Sequence, residues 1–282
     1  MKYDITGEKM ETKIITVPLE EGSEIKGSEQ IADYLNQNGI TSDTAVTFIK
    51  EESKRETVCN CCLKTKEAVL QCLDRKQFPL IIGSDHSVSI GSVSAVLQKY
   101  DVSVFWIDAH PDINTPEASI TKRIHGMPVA TLMKDGYPEL SELTEDKVLK
   151  KENLIYLGVR CFDPYEKAYI EENKIALYNN FSAAKDSIVR VLKKIRKNIV
   201  GPVHISFDLD AINPEICPGV NTPVKEGLSF IQVKETLNYL FDNFEVVAMD
   251  IVEYNPLNDV ARKTVNIISE IVELVKEKVH HF

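Results

Sequence analysis

A chain of 282 residues with 43% hydrophobic and 27% charged side chains carries enough apolar material for a substantial core and an ordinary globular surface. Its formal net charge of -10 argues against nucleic-acid or anionic-membrane partners, which select basic patches. Its longest apolar stretches, such as Val102 to Ile107 and Val246 to Val252, are strand-sized and far below a membrane span.

Met1 to Glu11 alternates charge and lacks a signal-peptide core, so a cytoplasmic location is expected. Ile14 to Pro18 reads as a strand, and a helix from Glu29 to Gln37 follows, ended by Asn38-Gly39. Ala45 to Ile49 reads as a strand and Glu56 to Arg75 as a long helix. The six cysteines, at 59, 61, 62, 72, 161 and 217, show no small-domain framework and read as free thiols. Cys59, Cys61, Cys62 and Cys72 fall inside that helix, which favours plain helix cysteines over a zinc site. Phe78 to Ile82 is a buried strand with a turn at Gly83, and a helix from Ile90 to Lys99 leads into the strand Val102 to Ile107. Further strands are expected at Leu154 to Val159, Ile175 to Tyr178, Val203 to Phe207 and Val246 to Ile251. Helices at Tyr165 to Glu172, Ala183 to Lys197, Ile231 to Phe241 and Ala261 to Val279 intervene or close the chain. Alternation of near-continuous apolar strands with helices predicts a three-layer α/β/α sandwich around a mostly parallel sheet. No linker or repeat divides the chain, so one domain over residues 1–282 is expected.

Three clusters punctuate the strand ends: Asp85-His86, then Asp108-Ala109-His110-Pro111-Asp112, then Asp208-Leu209-Asp210. In open α/β sheets ligands bind beyond the carboxyl ends of strands, so these segments are expected to converge on one site. The alternation in the second and third clusters would turn their polar side chains to one face of an extended backbone. For each Asp alone, capping of the following helix is an equally good account. For the set, the mutual repulsion of four carboxylates calls for bound cations. Two imidazoles with four carboxylates are too negative for one divalent ion and suit a pair. Carboxylates with imidazole and no thiolate favour a hard-to-borderline ion such as manganese. Two such ions roughly 3.5–4 Å apart can hold a hydroxide between them at neutral pH.

Gly83-Ser84-Asp85-His86-Ser87, the Asp108 to Asp112 block and Ser206-Phe207-Asp208-Leu209-Asp210-Ala211-Ile212-Asn213-Pro214 resemble the three signature blocks of the ureohydrolases. That family, arginase, agmatinase and relatives, hydrolyses guanidino or related amidino groups with two manganese ions. The resemblance implies that His86 and Asp112 complete one ion's site and His110 and Asp210 the other's, with Asp108 and Asp208 bridging. His125-Gly126-Met127-Pro128 and the Arg160 to Glu166 segment bring the resemblance nearest to arginase. It then implies that Asn114 and Thr121 contact a substrate α-carboxylate, Asp163 and Glu166 the α-amino group, and that Thr222 lines the pocket. By the same resemblance His125 shuttles a proton, Asp210 passes on the nucleophile's proton and Glu253 pairs with the guanidinium. A small-molecule guanidino substrate and a homotrimer or homohexamer are the implied partners.

Plainer accounts stand beside several of these roles. His125 suits a turn, Asp163 before Pro164 suits a helix cap, and Glu253 after a buried strand calls for some cationic partner. The chain also departs from the arginase pattern. Thr121-Lys122-Arg123 replaces a small neutral triplet, Ser84 and Asn221 stand where glycine is common, and Lys26-Gly27-Ser28 replaces a Gly-Pro helix start. Arg123 is expected either to pair with the α-carboxylate through its fork or to swing into solvent. Hydrolysis of L-arginine to L-ornithine and urea is the expected activity. Another guanidino substrate, or a catalytically silent subunit of the same fold, is the alternative.

Overall fold

A computed structural model describes residues 10–179 and 187–279. The amino-terminal residues before 10, the first part (183–186) of the expected Ala183 to Lys197 helix, and His280 and His281 lie outside the described residues. One sheet contains β1 (Thr12–Val17), β2 (Thr44–Ala45), β3 (Phe78–Gly83), β4 (Ser103–Ile107), β5 (Leu154–Leu157), β6 (Ala176–Tyr178), β7 (Val203–Asp208) and β8 (Val246–Val252). The strand order is β2-β1-β3-β8-β7-β4-β5-β6, and every pairing among these strands is parallel. The chain therefore forms the expected sandwich, with a sheet that is wholly rather than mostly parallel. Consecutive strands β3 and β4 lie three places apart, with β8 and β7 between them.

Helices cover both faces: α1 (Ile31–Gln37), α2 (Lys54–Asp74), α3 (Ser89–Lys99), α4 (Pro128–Leu132), α5 (Pro138–Ser141), α6 (Pro164–Asn173), α7 (Ser187–Ile195), α8 (Phe230–Asn243) and α9 (Lys263–Val279). Every residue of β3, β4, β7 and β8 is buried, which is why these strands read as largely apolar runs. Successive side chains still alternate between faces. Leu80 and Ile82 join the core under α1, α7, α8 and α9, while Ile81 joins the core under α2, α3, α4 and α6. Each such buried aliphatic side chain contributes roughly 1.5–3 kcal/mol.

Departures from the sequence expectation lie at the ends of elements. The strand expected at Ala45 to Ile49 shrinks to Thr44–Ala45 on the sheet edge. Ile49 is exposed, and its N–H donates to the Asn60 side chain instead of a ladder. β5 stops before Gly158, whose φ of +92° turns the chain away. The last helix begins at Lys263 rather than Ala261, because Ala261 and Arg262 both have φ of +57°.

Gly91 on α3 sits against α2, where a Cβ would lie 2.2 Å from the Cys62 carbonyl oxygen. Gly91→Ala must push the two helices apart, which outweighs the better helix propensity of alanine. The variant is expected to lose about 1–3 kcal/mol, measured as a lower urea midpoint at unchanged slope.

Candidate active site

The four central strands β3, β8, β7 and β4 deliver their carboxyl ends side by side, and every cluster singled out in the sequence arrives there. Local turns, not extended backbone, aim the side chains. Asp208 ends β7, and a 3-10 turn over Leu209–Ala211 follows, with Asp208 Oδ1 accepting from the Asp210 N–H at 2.7 Å. Asp85 Oδ1 accepts from the Ser87 N–H at 2.9 Å at the start of the His86–Val88 turn. Asp112 reaches the cluster with φ of +50°, and Glu253, one residue past β8, with φ of +64°. The expectation that alternation along an extended chain aligns the clusters is therefore corrected. Capping does not use up the side chain, because Asp208 caps with Oδ1 while its Oδ2 faces His86 at 3.0 Å.

His86 Nδ1 lies 3.1 Å from Asp108 Oδ2, 3.0 Å from Asp112 Oδ2 and 3.0 Å from Asp208 Oδ2. A ring nitrogen carries one hydrogen at most, and this buried atom meets hydrogen-bond geometry with none of the three. Three oxygens and a nitrogen crowded around one point have the arrangement of ligands about a cation. The second group shares Asp108: His110 Nδ1 is 3.0 Å from Asp210 Oδ2 and 3.6 Å from Asp108 Oδ1. His86, Asp108 and Asp112 form one set close enough to hold a metal ion, and Asp108, His110 and Asp210 another. Hard oxygen and imidazole donors without thiolate fit a divalent ion such as manganese.

The electrostatics carry the same message. Burial pushes Asp112 up to about 6, with Asp108 adding to the effect. Burial, then Asp210 and Asp108, push Asp208 well above the usual carboxylate range. Burial opposes protonation of His86, yet its contacts with Asp108, Asp112 and Asp208 raise it far above an ordinary imidazole. Burial and like charge together make it costly to ionise Asp112 and Asp208 at once.

Residues that the sequence reading passed over fix these groups from beneath. His86 stacks on Trp106 with ring centroids 4.2 Å apart, and Trp106 Nε1 donates to Asp108 Oδ2 at 3.0 Å. His86 Nε2 pairs with Ser206 Oγ at 2.9 Å, which directs Nδ1 at the carboxylates. Ser206 meets Ser89 at 3.1 Å, and Ser89, Ser92 and His204 all bond Asp250 Oδ2, at 2.8, 2.7 and 3.0 Å. Arg160 donates to the carbonyls of Asp210, Ala211, Val224 and Lys225 and so ties down the loop after β7.

The cavity above this floor is walled by His110, Asp112, Asn114, Thr121, His125, Asp163, Glu166, Asp208, Thr222 and Glu253, with Ser119, Gly126 and Cys161 joining them. Arg123 is not in that wall, which agrees better with the second of its two expected placements than with a fork onto a carboxylate; its backbone starts the Ile124–Gly126 turn. Glu253 Oε1 accepts from the His86 N–H at 2.8 Å and from His125 Nδ1 at 3.1 Å. Burial disfavours a charge on His125, but Glu253 outweighs it and holds the imidazole up to about 9. Thr222 Oγ1 donates to Asp210 Oδ2 at 3.1 Å. Asp163 and Glu166 form a capping box on α6, and Asn114 Nδ2 donates to Asp163 Oδ2 at 2.9 Å.

The model of the family described as "Arginase family" matches residues 14–275. The chain belongs to the arginase family. It is 34% identical to an arginase of Staphylococcus aureus (strain MRSA252) over 236 residues, covering 80% of this chain and 78% of that one. It is 35% identical to the arginase of Bacillus caldovelox over 209 residues, covering 72% and 70%. The solved arginase of Bacillus subtilis superposes with a TM-score of 0.84 at 28% identity, over 96% of this chain and 99% of that one. An arginase-family hydrolase thus carries the clustered donors at the place where its parallel sheet opens to the cavity.

Glu166 gives a pH test of the pocket. Burial lifts its carboxyl from an ordinary 4.5 to about 8, against the pull of backbone donors from Asp163 and Ile113. Between those values the folded chain holds a proton that the unfolded chain has released, so this group's contribution to stability falls as pH rises. Glu166→Gln keeps a capping-box partner and removes the titration. From pH 5 to pH 8 the variant is expected to gain on the order of 2–3 kcal/mol relative to wild type, read from urea midpoints at the two ends.

Proposed function

We propose that this chain hydrolyses the guanidino group of L-arginine to L-ornithine and urea, using two manganese ions per subunit. The observation that carries this reading is the pair of ligand sets sharing Asp108, facing Glu253 and His125 across one small cavity. His86 and Asp112 would hold one ion and His110 and Asp210 the other, with Asp108 and Asp208 between them. When bound, the ions neutralise the carboxylates and supply an ionised water at neutral pH. Such a donor group matters because resonance and positive charge both protect a guanidinium from attack.

The chain's own residues do the rest. Glu253, buried and held in its charged form by His125, faces the cavity as the counter-charge for a guanidinium. Asp210, braced by Thr222 at Oδ2, is placed to take the attacking water's proton. His125 is protonated at neutral pH and stands at the cavity edge, so it can give a proton to the departing amine and regain one from solvent. Asn114, Thr121, Asp163 and Glu166 also line the cavity, where an amino acid's α-groups would sit. An α-ammonium there would pull Glu166 into its ionised form.

One observation favours a second substrate reading, agmatine or guanidinobutyrate. Asn114 and Asp163 are bonded to each other, and Arg123 stands outside the wall. Comparing kcat/KM for arginine and agmatine separates the two, because a site built around α-groups rejects analogues lacking them by large factors. The same reading takes the chain as one ureohydrolase domain over 1–282, working in the cytoplasm as a homotrimer or homohexamer. It is supported by the single sheet from β1 to β8, by six free cysteines and by the family resemblance.

Urea release under saturating manganese, over a panel of guanidino compounds, tests the activity; a chain with full metal content and no urea is not a hydrolase of this class. Asp112→Ala is expected to lose manganese and turnover together, and full metal occupancy in that variant would overturn the ligand assignment. His125→Ala is expected to keep its metal and lose about 10²-fold or more in kcat, by the usual worth of a positioned acid or base.

A further inference from the structure

The loop before Thr222 is zipped to the segment that carries Glu253. Val220 pairs with Tyr254 across an antiparallel bridge, the Asn255 N–H donates to the Gly219 carbonyl at 2.9 Å, and Asn258 Nδ2 donates to the Val220 carbonyl at 2.9 Å. Within this zipper Asn221 uses its whole amide. Its Nδ2 donates to Glu253 Oε2 at 2.8 Å and to the Ser84 carbonyl at 3.1 Å, while its Oδ1 accepts from Asn255 Nδ2 at 2.9 Å. Asn255 is fixed in turn, because its Nδ2 also donates to the Lys26 carbonyl at 3.0 Å and its Oδ1 accepts from the Leu257 N–H at 3.0 Å. The chain of donors leaves one choice of amide orientation: a reversed Asn221 would set its oxygen against the Glu253 carboxylate.

A carboxylate offers about four acceptor positions. His86 and His125 occupy two on Oε1 and Asn221 a third on Oε2, so about one remains for an incoming N–H. A cation held through so few bonds is placed by the rigidity of its partner and not by their number. Glu253 also has φ of +64°, a costly conformation for a residue with a side chain, which persists only where its surroundings hold it. Asn221 is absent from the cavity wall, so it acts through Glu253 and not on the substrate.

We propose that Asn221, anchored by Asn255, is a positioning residue that locks the Glu253 carboxylate in one orientation and leaves it a single acceptor position for the substrate cation. The proposal rests on the guanidino-hydrolase reading above. Asn221 has no positive φ, so alanine fits its backbone. Asn221→Ala is expected to lower kcat for the preferred guanidino substrate by about ten- to hundredfold, the cost of a misplaced group, with KM changed less than about threefold. A crystal structure of the variant should show the Glu253 carboxylate turned. Asn255→Ala should cause a smaller loss of the same kind, and the double variant should be no worse than Asn221→Ala alone.

Unchanged kcat, a rise in KM alone, or additive losses in the double variant would overturn the positioning role. So would a Glu253 carboxylate that stays in place in the variant crystal, and that result needs no turnover at all. Wild-type protein that holds manganese and releases no urea from any guanidino compound removes the functional reading instead, and the two failures are thereby distinguished. Should Asn221→Ala not fold, Asn255→Ala with the same kinetic and structural readouts decides the question.

Discussion

Like-charge repulsion among buried carboxylates is the constraint around which this molecule is arranged. Asp85, Asp108, Asp112, Asp208, Asp210 and Glu253 are all buried at the carboxyl edge of four neighbouring strands. Each buried anion without a partner costs several kcal/mol, and a cluster of them costs more. The chain meets part of that cost with turn N–H groups: Asp210 N on Asp208, Ser87 N on Asp85, His110 N on Asp108 and His86 N on Glu253. The carboxylates in turn raise His86 well above an ordinary imidazole, and a protonated ring there offsets more. What local donors leave unmet is the charge that bound cations would balance. On this view stability and activity are coupled through one set of atoms, since anything occupying the site relieves the fold as well.

A wholly parallel sheet is what allows so much charge to gather. Parallel strands point the same way, so their carboxyl ends fall along one edge and their following turns share one crevice. Interposing β8 and β7 between β3 and β4 brings ends from residues 83, 107, 208 and 252 together. Such contacts are far apart along the chain. The energy to close those loops comes from the apolar faces beneath, the two cores on either side of the sheet.

How much of this is legible in the sequence depends on how strongly a residue's chemistry conflicts with its surroundings. The central strands were readable because burial on both faces leaves mostly apolar side chains, and the proposed ligands because carboxylates ending such runs are anomalous. β2 was read too long and one residue late, because an exposed edge pair has no pattern to mark where it ends. Trp106, Ser206, His204 and Asp250 were missed for the opposite reason: each sits inside or at the edge of an apolar run, where a serine or tryptophan looks like ordinary core. An unassigned His in a buried strand was the one signal, since a buried imidazole needs a polar partner, and Asp250 at 3.0 Å supplies it. Arg123 illustrates the limit of spacing arguments. Its neighbours Thr121 and His125 face the cavity while a turn takes the arginine elsewhere, and no periodicity predicts that choice.

At the α6 end of the pocket one pair of residues serves the fold and also lines the cavity. Asp163 and Glu166 close the helix start as a capping box, a role that needs only their oxygen atoms and would be met by Ser and Gln. Two carboxylates at that spot exceed the requirement of a cap, and burial exacts a penalty for the excess, lifting Glu166 to about 8. An acid held neutral by its surroundings gains its charge most readily when a cation arrives, because the arriving charge offsets the same burial that had suppressed it. The cap therefore keeps the pair in place at little cost while the pocket stands open. A cation reaching this wall would meet an acceptor already oriented and lacking only its ionisation.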